Sequence, residues 1–399
     1  MSWRNVWRYR RRTIITVAAM TLALWVMILY TGLVEGYILG MERNVLDLEI
    51  GDIQVFAGDY RDNPSIYTRI RKPEELLLRL DEKGYRACSR LLGGGLVAAG
   101  EASAGASFRG LDINHDKDVN LIHKHVAQGD WLAADQPKGV VIGRRLARIL
   151  DVGPGDELIG LSQAADGSIA NELYTVRGVL KGISEATDRM GVFMTAEAFR
   201  EFFVFSEGAH QIIIRRPEYL ELNTVVDDVR ALMPELDVKT WRELLPTIAS
   251  MVDSMQGLMI IIFFIVYIAI GILILNAMLM AVFERIREIG VLKALGVGPG
   301  QLFFLIIAES SIQTGLAVLV GLMLSVPGLW YLLEVGINMG SLSGMSIMGL
   351  AVDPVWRAEV NVNTFTKPVL TLVVIVFAAV IYPALKAAWI QPIRAMRHQ

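Results

Sequence analysis

The sequence predicts an integral membrane α-helical protein with four transmembrane helices plus a large α/β extracytoplasmic domain inserted between helices 1 and 2. Three observations carry this. Hydrophobic residues make up 53% of the 399 and charged residues only 20%, less than the quarter usual in soluble chains, and mean hydropathy is +0.45. The apolar residues gather in four runs of the length a helix needs to cross a bilayer core, about 20 residues. The runs are unevenly placed, one near the start and three close together after residue 257, with a long polar stretch between.

Residues 1–12, with Arg4, Arg8, Arg10, Arg11 and Arg12, read as a cytoplasmic segment. Residues 13–34 form the first span and hold no charge. This run exceeds the apolar region of a signal peptide, about 7–15 residues, so it reads as a retained helix. Residues 35–257 form the external domain. The second span is 258–283, the third is 302–333 with the carboxylate Glu309, and the fourth is 369–389. Residues 284–301 connect spans two and three, 334–368 form a second external loop, and 390–399 are a tail. Arg285, Arg287 and Lys293 in the connection, and Lys386, Arg394 and Arg397 at the end, repeat the positive charge of the N-terminal flank. Positive flanks stay inside, so all three, and both termini, are expected in the cytoplasm. The spans offer almost nothing to an ion, which argues against a carrier of small polar solutes.

The external stretch reads as mixed α/β. Ile53–Phe56 and Gln211–Ile214 are short apolar strand candidates. Lys72–Lys83, with Pro73 suited to a first turn and Leu76, Leu77 and Leu80 on one side, predicts a helix. Thr224–Met233 predicts another, striped by Val225, Val229 and Leu232. A strand at Gly139–Gly143 leads into a short helix at 144–150, a Gly/Pro turn and a strand ending at Ile159. Glu172–Leu180 and Gly191–Thr195 continue the pattern, giving a β-rich subdomain near 111–187. Gly93, Gly94 and Gly95 read as a flexible turn.

Several chemistries are excluded. A net charge of −3 gives no global basic field for nucleic acid. One cysteine, Cys88, permits neither an internal disulfide nor a multi-cysteine metal site. His123 and His125 flank Lys124 and read as a solvated loop; no metal site and no catalytic residues are expected. The chain contains no phosphate-binding GxxxxGK[ST], so it is not expected to bind ATP by itself or to be an enzyme.

The richest stretch is Phe283–Gly296. Ile286, Ile289, Leu292 and Leu295 recur every three residues and give an apolar helical face. Arg285 and Glu288 are spaced to pair. Gly296 is placed as a helix stop, and Gly298-Pro299-Gly300 breaks the chain before the next span. The pattern fits a short amphipathic helix parallel to the inner membrane face. It serves equally as an interfacial anchor or as a docking helix for a cytoplasmic partner. Glu309, about two turns into the third span, either reaches the inner interface or pairs internally with a basic residue such as Lys386.

The run from Glu284 to Gly296, followed by Glu309, resembles the signature of the FtsX/MacB/LolC–LolE superfamily of ABC-transporter permeases, the type VII transporters. Val238-Lys239-Thr240-Trp241 before the second span resembles it too, as do Tyr382–Ala388 and Pro392–Arg397 at the end of the chain and Val140–Leu158 in the external domain. The likeness runs the whole length with the same one-plus-three arrangement of spans. The length and the lack of a fused ATPase look most like the lipoprotein-releasing LolC/LolE-type subunits.

The resemblance implies a coupling helix that docks on an ATPase, with Glu284, Arg285, Arg287, Glu288, Lys293 and Gly296 at the matching positions. It implies a bacterial inner-membrane subunit that binds no cofactor itself. ATP and Mg belong to a separate ATPase subunit present in two copies, and a second permease chain completes a homo- or heterodimer. Cytoplasmic ATP hydrolysis would move the external domain. A lipoprotein-releasing permease further needs an apolar cavity for acyl chains. Trp25, Val26, Leu29, Tyr30 and Leu33 of the first span and Met255, Leu258, Met259 and Ile262 around the second are candidates, since methionine adapts to irregular apolar ligands; the bilayer requires apolar residues there anyway. Three functions remain open: extraction of lipoproteins or lipids, MacB-like efflux with a periplasmic adaptor, and FtsX-like signalling to a wall hydrolase.

Overall fold

The computed structural model describes residues 10–217, 219–338, 346–347, 350–351 and 355–389. Arg4, Arg8, Arg394, Arg397, the segment from Pro392 to Arg397 and the remainder of the 334–368 loop lie outside the described residues. The chain divides into two units.

The first unit is helical. Helix α1, Arg10–Val45, contains the first span and contributes its portion up to Leu39. The later helices follow in chain order after the second unit. Among the described residues, four helices are long and apolar enough to cross a membrane.

The second unit begins where α1 ends. A π-helical turn, Leu46–Ile50, closes at Gly51 in the left-handed region. Then come β1 Ile53–Ala57, α2 Pro73–Glu82, β2 Arg86–Ala99, β3 Ala102–Leu111, α3 Ile113–Val119, β4 Val126–Gly129, β5 Gly139–Ile142, α4 Arg144–Leu150, β6 Glu157–Gln163, β7 Ile169–Leu180, α5 Glu185–Met190, β8 Gly191–Thr195, α6 Ala196–Phe202, β9 Gln211–Arg215, α7 Leu222–Leu232, β10 Leu236–Thr240 and α8 Trp241–Leu244. The short antiparallel pair β12 Ser346–Ile347 and β13 Leu350–Ala351 belongs with it.

Ten strands form one sheet in the order β10-β1-β9-β2-β3-β8-β5-β7-β4, and β6 pairs with both β2 and β7. These pairings close a ring: β2-β3-β8-β5-β7-β6 and back to β2. The ring therefore takes in β2 and β3 before residue 111 and β8 after 187. Its interior is filled by Val97, Phe108, Val140, Leu158, Tyr174 and Val192, capped by Phe199, Phe202 and Phe203. A second core lies under β1, β9 and β10, where α2 and α7 place Leu80, Val225 and Val229 against Ile53, Val55, Ile212 and Ile214. Burying one such side chain contributes about 1.5–3 kcal/mol.

Gly93, Gly94 and Gly95 are not a turn. They lie inside β2, where that strand exchanges its partner β9 (at 86–90) for β6 (at 96–98). A Cβ on Gly93 would stand 2.6 Å from the Phe203 ring, and one on Gly95 2.5 Å from the Leu161 carbonyl. Gly93 and Gly95 permit the close approach that closes the ring.

The remaining helices complete the first unit. They are α9 Pro246–Glu284, α10 Ile286–Ala294, α11 Pro299–Glu334 and α12 Val362–Trp389, with β11 Ile337–Asn338 paired to β14 Val355–Trp356. Helices α1, α9 and α11 all extend beyond the apolar runs and take in polar residues at their ends. The core of this unit packs Met20, Leu24, Met27 and Ile28 of α1 with Tyr267 and Ile274 of α9, Ala317 of α11 and Leu372 and Val376 of α12. Buried polar groups there bond locally: the Thr31 hydroxyl donates to the Met27 carbonyl at 2.7 Å and Thr314 to Ser310 at 2.9 Å, as a water-free interior requires.

Candidate docking helix and external cleft

Helix α10 is set off from α9 by Arg285, whose backbone leaves helical geometry. Its end is a Schellman motif. Gly296, at φ +92°, donates to the Lys293 carbonyl, and Val297 donates to that of Leu292. Ile289 is buried against Val282 of α9, Leu302 of α11 and Ala387 of α12, with Leu292, Val297 and Ile306 around them. The expected stripe is thus only partly covered: Ile289 is buried, Ile286 and Leu292 are half-buried, and Leu295 is 77% exposed. The apolar face rests on the ends of the spanning helices.

The polar candidates separate into two groups. Glu284, Arg287 and Glu288 are exposed. Arg285 points inward, and its guanidinium Nη1 lies 3.1 and 3.4 Å from the two carboxylate oxygens of Glu309. Both side chains are almost wholly enclosed, at 11% and 9% exposure. Glu309 therefore pairs internally, with Arg285 rather than Lys386. The Lys386 ammonium lies over the Phe283 ring at 4.6 Å from its centroid and over the Tyr382 ring. Lys293 is half-buried and donates to the Ala388 carbonyl at the end of α12.

The second unit carries a different feature, a cleft of about 1200 Å³. Glu49, on the π turn that ends α1, lies on its wall. One carboxylate oxygen meets the Arg109 guanidinium, and the other accepts from the Thr187 hydroxyl at 2.6 Å. Arg90 donates to the Glu49 carbonyl. Nearby, Asp47 pairs with Arg215, and Asp52 pairs with Arg215 and Arg216. Asp47, Glu49 and Asp52 thus tie the turn at residues 46–52 to the rest of the second unit. At the same place the Trp241 backbone N–H donates to the Asp52 carbonyl, and Thr240 and Glu243 form a capping box at the start of α8. The sequence reading passed over this cluster. Its signal in the sequence is three acids, Asp47, Glu49 and Asp52, within six residues.

Two sequence families cover these features. Residues 13–232 match the MacB-like periplasmic core domain, and residues 260–392 match the C-terminal domain of FtsX-like permeases. The chain belongs to the FtsX/MacB family of ABC-transporter permeases. In such a family member the chain is a permease subunit and a membrane protein, with an external-type α/β domain of the MacB kind. Among solved structures, the periplasmic region of MacB from Actinobacillus actinomycetemcomitans is similar at 14% identity and a TM-score of 0.37, covering 50% of this chain and 94% of that one. The extracellular domain of a noncanonic ABC-type transporter, YknZ, from Gram-positive bacteria is similar at 12% identity and a TM-score of 0.34, covering 47% and 98%. No curated protein gives a significant match.

Within this permease, the residues considered for a lipid cavity fall on two helices. Trp25 and Leu29 of α1 lie against Gly328 of α11, and the Trp25 indole donates to the Leu324 carbonyl at 3.0 Å, in the turn that Pro327 disturbs. Leu29, Tyr30 and Leu33 pack on the helical core, while Val26 is exposed. On α9, Leu258 and Ile262 are exposed and Met255 and Met259 half-buried. His123 and His125 sit on a short 3-10 turn, each with Nδ1 against a backbone carbonyl, of Asn120 and Leu121.

Proposed function

We propose that this permease couples ATP hydrolysis by a separate cytoplasmic ATPase to movement of its external domain, and that it extracts lipoproteins or lipids from the bacterial inner membrane. The observation that carries the coupling is the division of labour on α10. Its buried Ile289, and Arg285 just before the helix, join it to the neighbouring long helices, while Arg287 and Glu288, with Glu284 at the end of α9, are exposed. Two ATPase copies then serve two permease chains, identical or different. α10 lies on the cytoplasmic side and the 35–257 domain on the other, as the basic flanks require. Mechanical work on an external domain suits spans with few polar groups.

The cargo half of the proposal rests on apolar groups near the outer ends of the first two spans, with Trp25, Leu29, Tyr30, Met255 and Met259 offering adaptable apolar surface. A second reading, MacB-like efflux with a periplasmic adaptor, is favoured by the match of residues 13–232 to the MacB-like core domain. Purification from the native membrane with mass spectrometry of bound proteins and lipids tests both. An ATPase in equal amount with the permease supports coupling. Co-purified lipoprotein or phospholipid above the level of a control membrane protein supports extraction, and a periplasmic adaptor supports efflux. Recovery without any ATPase contradicts the proposal.

A further inference from the structure

We infer that Arg285 and Glu309 form the strut through which movement of α10 is carried into the third span. This rests on α10 being the ATPase-docking helix. Arg285 occupies the link between α9 and α10, outside helical geometry at φ −107° and ψ 17°, so it sits where the docking helix pivots on the second span. Its partner lies in the body of α11, ten residues after Pro299, or about 15 Å along the axis at 1.5 Å per residue. One side chain therefore joins the pivot of the docking helix to the interior of another helix.

The surroundings make this tie stiff. Ile289, Leu302 and Ile306 pack in one apolar cluster at the base of α10. Ser310, beside Glu309, donates to the Ile306 carbonyl at 3.1 Å and lies 3.7 Å from the Met278 sulfur. Apolar neighbours such as Ile289 and Leu302 exchange partners at little cost when helices slide. Opposite charges shielded from water do not, because separating them strands a buried charge. A displacement of α10 consequently drags α11 along. The pair is not on the docking surface: Arg285 and Glu309 are enclosed, and the exposed charges are Glu284, Arg287 and Glu288. Docking and transmission are thus borne by different residues of one short segment, and each can be removed without the other.

The test uses the full chain with its ATPase in nanodiscs. A nitroxide label replaces Ile169, which is 84% exposed in the external domain. Its distance to the same label on the second permease is read by electron–electron resonance, without nucleotide and after trapping with ATP and vanadate. Glu309→Gln keeps the shape and removes the charge; Arg285→Glu with Glu309→Arg restores a pair in reverse. The expected result is that Glu309→Gln binds the ATPase within twofold of wild type, that trapping no longer shifts its label distance, and that the reversed pair recovers at least half of the wild-type shift. A Glu309→Gln protein that still shifts like wild type overturns the strut. So does a reversed pair that inserts, binds the ATPase and remains unresponsive, or a Glu309→Gln protein that loses its ATPase as completely as a charge reversal at Arg287 and Glu288. Failure of the wild-type chain to bind any ATPase contradicts instead the coupling reading on which the strut depends.

Discussion

Arg90 and Asp116 form an ion pair at 2.9 Å with side-chain exposures of 1% and 5%, at the centre of the external domain. The same carboxylate oxygen accepts from the Cys88 thiol at 3.3 Å and from the Asn120 amide at 3.3 Å, so one atom ties β2 to α3 and to the loop after it. Arg90→Ala leaves Asp116 charged and buried. Losing one partner of such a pair costs about 3–5 kcal/mol, which lowers the midpoint of a domain this size by roughly 6–20 °C. Tryptophan fluorescence of the full chain in detergent measures it, and an unchanged transition would show that the pair is dispensable.

Cys88 is fully buried, and burial followed by the nearby Asp116 carboxylate pushes its thiol well above the ordinary range. A thiol held protonated and enclosed does not react. Native protein is expected to take up no maleimide at pH 8 and one equivalent in SDS. This silence makes the natural chain a background for topology. On intact cells, a cysteine at Asp166 should label from outside and one at Gly296 should not. Labelling of position 296 would sink the proposed orientation.

His210 is fully buried, accepts the Leu92 N–H on Nδ1 at 3.1 Å and donates from Nε2 to the Ile66 carbonyl at 3.2 Å. Burial lowers its pKa to about 4. The folded ring stays neutral where the unfolded one, near 6.5, takes up a proton, so stability is full above pH 6.5 and falls as pH drops towards 4. The span of about 2.5 units corresponds to at most about 3 kcal/mol. Denaturant midpoints of wild type and His210→Asn between pH 7 and 4.5 test this. Wild type should lose stability more steeply across that window, and parallel slopes would refute the assignment.

Much of this architecture is legible in the sequence, and the residues show why. Ile53–Phe56 and Gln211–Ile214 are rich in apolar residues because both strands lie inside the sheet and pack against α2 and α7. Pro73 and the leucines after it mark α2 equally well. Gly93–Gly95 misleads because local flexibility and close approach use the same residue, and only the partner strand β6 distinguishes them. The partner of Glu309 was illegible for a similar reason. Spacing along one helix suggests Arg285 with Glu288, whereas the contact that forms joins the link before α10 to α11, 24 positions later. The acidic row Asp47, Glu49 and Asp52 is visible in the sequence, but its arginine partners are scattered from 109 to 216.

The exposed charges of α10 carry the central claim. Reversing both Arg287 and Glu288 should leave insertion intact, since exposed side chains away from the core cost little stability. Losing a charged partner at a docking interface costs about 2–5 kcal/mol, a 30- to several-thousandfold loss of affinity at about 1.4 kcal/mol per factor of ten. The decisive measurement is the amount of ATPase subunit that co-purifies with wild type and with Arg287→Glu, Glu288→Arg at matched membrane expression. The expected result is near-complete loss from the double variant with no change in its detergent elution profile. A double variant that retains its ATPase and its ATP-driven activity would contradict the docking role and leave α10 a plain interfacial anchor.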